Sequence, residues 1–129
     1  MFEQDDFIFR YTRADALKDG VLVDAGAMAN EAGFRVPVAL TAKVWATCVG
    51  WSADERTPQD ESGRLWDVLW MASLAARATA RRGDSGRVLF EVLVVPRGGR
   101  RPRLTRLALL IGPGDQGECV ATILTPDED

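Results

Sequence analysis

The sequence predicts an α+β fold: helices through the N-terminal two thirds, then a three-stranded antiparallel sheet on which the long tryptophan-bearing helix packs. Three observations predict it. Apolar residues follow a helical spacing as far as Arg82 and then switch to continuous runs rich in β-formers. The last three runs are joined by short polar connections, which suit antiparallel pairing because a parallel pair needs a crossover of a dozen residues or more. No repeat, low-complexity tract or long linker divides the 129 residues, so one domain over 1–129 is expected, and 47% hydrophobic with 27% charged residues suits a packed core.

The chain opens with a short aromatic segment, Phe7, Ile8, Phe9 and Tyr11. Thr12 can cap a brief helix, RADALKD, which Gly20 closes in the left-handed conformation. Val21, Leu22 and Val23 follow as a buried extended piece, and DAGAMANEAGF reads as a second short helix ending at Gly33. Val36 before Pro37 forces extended backbone. Thr41 is then a good N-cap for a helix on which Val44, Trp45, Cys48 and Val49 share one face.

The strongest helical signal runs from Arg64 to Arg82, where Trp66, Leu69, Trp70, Ser73, Leu74 and Arg77 trace one face. Thr57–Pro58 with Asp60, or alternatively Ser62, marks its start, and Gly83 its end. Trp45, Trp66 and Trp70 read as core, leaving Trp51 as the tryptophan expected to be exposed. The strands are RVLFEVLVV (87–95), LTRLALLI (104–111), expected to be central, and CVATILT (119–125). The connection IGPGDQGE reads as a hairpin turn. It lacks the lysine of a phosphate-binding loop and opens no helix.

Composition removes whole classes of chemistry. Without a histidine, Ser-His-Asp and Cys-His catalysis and the HExxH zinc site all fall. Cys48 and Cys119 lie in unrelated segments, have no CxxC spacing and read as small buried apolar residues. No catalytic residue, metal site or cofactor is predicted. The start MFEQDDFIFR lacks the order of a signal peptide and no apolar run is long enough to span a membrane, so the cytoplasm is the expected location.

Charge is the most informative feature. From Arg77 to Arg106, nine arginines face only Asp84 and Glu91, a net of +7, which leaves −10 on the rest of a chain of net charge −3. Planar guanidinium groups suit carboxylate and phosphate recognition. The expected partner surface is therefore Arg97, Arg100, Arg101, Arg103 and Arg106 on the hairpin, Arg81 and Arg82 at the adjoining helix end, and Trp51. A soluble, arginine-heavy sheet end is the plainer reading of the same residues. An acidic protein surface or nucleoprotein complex is the expected partner. A nucleic-acid-binding regulator using the same arginines is the second possibility, although a pI near 5.0 suits generic DNA binding less well. Asp60, Glu61 and Asp67 at the helix start form a third possibility, a carboxylate-dependent enzyme, although acidic residues belong in a first helical turn anyway. An uncovered edge strand or an exposed Trp51 would support a homodimer.

The segments YTRADALKDGVLVD, EAGFRVPVALTAKVW, QDESGRLWDVLWMA and IGPGDQGE together resemble a family of small bacterial proteins of unknown function, found on plasmids, integrative elements and phages. That resemblance spans nearly the whole chain and carries no catalytic residue. What it implies is an accessory role on a mobile element, a setting in which anti-restriction and anti-CRISPR proteins are common; the missing catalytic constellation and the +7 segment add the expectation of a non-enzymatic binding protein, an inhibitor of a host defence system being the example.

Overall fold

A computed structural model describes residues 11–52, 57–82 and 86–128. The aromatic lead-in up to Phe9 and the helix stop at Gly83 lie outside these residues. Thr12 opens α1 (Arg13–Asp19) through a reciprocal cap: its hydroxyl accepts from the Asp15 N–H at 3.0 Å, and its own N–H donates to Asp15 Oδ2 at 3.2 Å. Gly20, at φ 81°, closes the helix as its sequence position predicts. Strand β1 (Leu22–Asp24) leads to α2 (Ala27–Glu31), and β2 (Val38–Thr41) leads to α3 (Ala42–Val44), which continues as a π-helical turn over Trp45–Val49. The Thr41 hydroxyl accepts from the Val44 N–H at 3.2 Å, so the predicted cap is in place.

The long helix α4 spans Glu61–Arg82. Its start is set by neither Thr57 nor Ser62 but by Asp60, whose Oδ2 accepts from the Gly63 N–H at 3.2 Å and whose carbonyl accepts from the Arg64 N–H at 2.9 Å. Three strands follow: β3 (Arg87–Val94), β4 (Arg103–Pro113) and β5 (Cys119–Leu124).

The predicted layout of a helical two thirds and a three-stranded sheet is overturned. The sheet has five strands in the order β1-β2-β5-β4-β3, and it is mixed, because β2 runs parallel to β5 while the other pairs are antiparallel. The long helix therefore sits between two strand pairs in sequence and is not the last part of a helical region. β1 and β2 are only 3 and 4 residues long, too short to show a two-residue alternation. Their place in the sheet comes from Val38, Ala39 and Leu40 pairing with Ala121, Thr122 and Ile123, far along the chain. The parallel crossover that short connections excluded is supplied by everything between residues 41 and 119.

One core joins the sheet and α4. Phe90, Val92 and Val94 of β3, Leu107 and Leu109 of β4, Ile123 of β5 and Leu40 of β2 meet Leu65, Val68, Leu69 and Ala72. The buried side of α4 is thus rotated from the predicted one. Trp66 is half-buried and stacks on Trp70 at 5.8 Å between ring centroids, while Trp70 is 38% exposed. Trp45 is half-buried as well. Indoles at these positions are too large for the tight helix–sheet contact, which small and branched side chains fill. Cys48 is buried as expected; Cys119, the first residue of β5, is exposed.

On the other face of the sheet, Arg13 reaches across to donate to Thr122 Oγ1 at 2.7 Å and the Ala121 carbonyl at 2.8 Å. The β4–β5 turn is a hairpin turn, as predicted. Its Asp115 carboxylate accepts from the N–H groups of Arg13 and Ala14 at 2.8 and 3.0 Å, so the loop supplies an anion to a helix start.

Candidate functional site

The β3–β4 hairpin carries the arginines, and its local chemistry shapes the tip. Gly99 N–H donates to the Pro96 carbonyl at 2.9 Å, and Gly98 takes φ 80° at the third position of that turn, a conformation suited to glycine. Val94 pairs with Arg103, so residues 95–102 form the projecting end. β5 pairs with β4 only from Ala108 onward, and the first part of β4 stands clear of the sheet's centre.

Arg97, Arg100, Arg101 and Arg103 are all exposed at this end, and among the described residues none of the four has a carboxylate partner within ion-pair distance. Arg106 is exposed too, but it sits along the strand and meets Glu91 at 3.5 Å. Arg81 and Arg82 do not join the group. They close α4, whereas the hairpin tip lies against the opposite end of that helix, where Arg64 reaches Val95. At 1.5 Å per residue, their backbone is about 25 Å from Arg64 along the helix axis. Trp51, expected to be exposed, is half-buried under a guanidinium.

That guanidinium belongs to Arg64, which the sequence reading passed over. Arg64 is only 5% exposed. Its Nε donates to the Val49 carbonyl at 2.8 Å, and its Nη1 donates to the Val95 carbonyl at 2.8 Å and to Gln59 Oε1 at 3.3 Å. Its central carbon lies 4.6 Å from the Trp51 ring centroid. One side chain therefore ties the π-helical turn, the approach to α4 and the shoulder of the hairpin together. Burial lowers its pKa, and the neighbouring positive charge of Arg97 acts in the same direction. Among the described residues Nη2, which is buried, has no hydrogen-bond partner, so the group is held at an electrostatic cost. The signal was present: Arg64 precedes Val68 by four residues and Ala72 by eight, which puts it on the buried stripe.

The acidic residues at the helix start are mostly committed to structure. Asp60 caps α4, and Glu61 Oε2 accepts from the Trp51 N–H at 2.9 Å. Asp67 is exposed and borders a cavity of about 230 Å³ that Cys48 and Arg64 also line. Burial pushes the Cys48 thiol up, opposing nucleophilic use. Among the described residues no group of three or more His, Cys, Asp or Glu side chains could hold a metal ion, and no helix is long and apolar enough to cross a membrane.

Comparison of the chain with known families gives one match, over residues 1–129, to a family described as of unknown function, DUF6573. The chain belongs to DUF6573. This agrees with the resemblance to an uncharacterised family and adds no chemistry to it. No curated protein and no solved structure matches. The properties of this DUF6573 chain therefore rest on its own residues.

Proposed function

We propose that this protein is a non-enzymatic binding module that docks an acidic macromolecular surface through Arg97, Arg100, Arg101 and Arg103. The observation that carries this reading is that four exposed arginines, none with a carboxylate partner among the described residues, stand on a base fixed by the buried Arg64. Guanidinium groups on an ordered turn lose less freedom on binding than groups on a flexible tail, and each can grip a carboxylate or phosphate through two parallel hydrogen bonds. Asp60, Glu61 and Asp67 lie at the same end of α4 as the tip and would repel a nucleic-acid backbone, which favours a protein partner with its own mixed charge. The mobile-element setting that the family resemblance implies makes a component of a host defence system the first such partner to examine.

The test is affinity capture from host lysate with nuclease present. A stoichiometric protein retained by the wild type and lost with Arg100→Glu/Arg101→Glu, at an unchanged melting temperature, is the expected result. Capture that is indifferent to this double substitution would refute the reading.

A further inference from the structure

The outer edge of β3 carries a second, independent surface. β3 is the last strand in the sheet order, with β4 on one side only. The Ile111 N–H donates to the Gly86 carbonyl, which sets the alternation of the ladder. Val88, Phe90, Val92 and Val94 exchange hydrogen bonds with β4, and Arg87, Leu89, Glu91 and Leu93 direct their N–H and C=O groups away from it. Among the described residues no hydrogen bond reaches the outward backbone groups of these four. Free edges are commonly blunted by a run of like charges, proline, a bulge or shortness. β3 has eight residues and no proline, its outward row carries one charge of each sign in Arg87 and Glu91, and it exposes Leu89 at 53% and Leu93 at 61%. Beside it, Trp70 and Met71 of α4 line a groove of about 480 Å³ together with Val92 and Leu93.

We propose that this edge pairs with itself: β3 of one copy lies antiparallel to β3 of a second copy, about a twofold axis through Leu89. The charge pattern selects both the partner and the register. A twofold axis through Glu91 sets that carboxylate against its own copy, and like charges directly opposite are destabilising. An axis through Phe90 sets Leu89 against Glu91 and Arg87 against Leu93. The axis through Leu89 sets Arg87 against Glu91 twice, Leu89 against Leu89, and Val88 against Phe90 twice. Each Glu91, already 3.5 Å from Arg106 of its own β4, then faces Arg87 of the second copy, whose guanidinium must exchange the Pro126 and Glu128 carbonyls for that carboxylate. The two sheets become one of ten strands, with the α4 helices side by side and Trp70 and Met71 in the junction. A strand rises about 3.3 Å per residue, so the two arginine tips stand about 50 Å apart, at opposite ends of the dimer.

The experiment is sedimentation analysis of the full chain across the micromolar range, on the wild type and three variants. The wild type is expected to be dimeric. Arg87→Glu and Glu91→Arg should each weaken self-association at least tenfold, and mixing those two chains should restore a heterodimer, since every cross-pair is then opposite in sign. This rescue separates a lost contact from damage to the fold, which matters because Arg87 also donates to the carbonyls of Pro126 and Glu128. Leu89→Lys should give a monomer with an unchanged circular dichroism spectrum. A wild type that stays monomeric throughout, a dimeric Leu89→Lys chain, or variant chains that fail to pair when mixed would each overturn the proposal. Arginine-tip variants remain dimeric on this account, so its failure and that of the docking surface are distinguishable.

Discussion

Arg64 and the arginines of the hairpin tip are the same residue type at the same end of the molecule, yet they do opposite work. Arg64 is enclosed, with Nε and Nη1 bound to two backbone carbonyls and a glutamine, and with its plane over Trp51. Arg97, Arg100, Arg101 and Arg103 stand in solvent with no carboxylate partner among the described residues. The difference teaches that a count of arginines in a segment does not identify a surface. The buried one gives the exposed ones a fixed platform, and substitutions at the two places should separate cleanly into loss of stability and loss of binding.

The largest stability effect is expected at the buried member. Arg64→Leu removes the donors to the Val49 and Val95 carbonyls and should cost about 3 kcal/mol, read as a lower urea midpoint at unchanged slope. Faster amide exchange around Val95 should accompany it. A smaller loss, about 1.5 kcal/mol, is expected for Arg64→Lys, which keeps the charge but not the planar fork or the stacking on Trp51. If Lys at this position were as stable as Arg, charge rather than geometry would be what holds the hairpin. Replacing all four tip arginines with serine should move stability by no more than about 0.5 kcal/mol in thermal or urea unfolding, because these side chains are exposed. A marked destabilisation there would erase the distinction.

The exposed ion pair at the C-terminus marks the lower limit of the comparison. Lys43 Nζ meets Asp127 Oδ2 at 2.9 Å. The Thr125 hydroxyl and then the Lys43 ammonium hold the Asp127 carboxyl down at about 2, against an ordinary 3.8. A folded-state pKa below the unfolded one means that the contribution is present above pH 4 and is lost as the pH falls through about 2. Solvent screens this pair, so Lys43→Ala should lower stability only slightly at neutral pH, and that difference from wild type should vanish as the pH falls through about 2. An acid-unfolding curve for both chains checks it.

Local chemistry was legible in the sequence wherever one segment decides its own conformation. Thr12 and Gly20 bracket α1 as their positions predict, Thr41 caps α3, and the three C-terminal strands fall within two residues of their expected ends. What escaped was decided between segments. Nothing in Val38–Thr41 announces a parallel partner 83 residues away, so β1 and β2 were missing from the predicted sheet. The predicted partner surface divided for the same reason: the hairpin arginines were separated from Arg81 and Arg82 by the direction in which α4 crosses the sheet. Trp51 was lost to Arg64, a polar residue on an apolar stripe, whose role depends on carbonyls supplied by two other elements.

The central claim is that the tip arginines bind while Arg64 holds them in place. The most direct measurement is a titration of the captured partner against wild type, the four-serine tip variant and Arg64→Lys, at a temperature where all three are folded. The account predicts a loss of affinity of at least a hundredfold for the tip variant and less than tenfold for Arg64→Lys. Equal affinities for the wild type and the tip variant would contradict it.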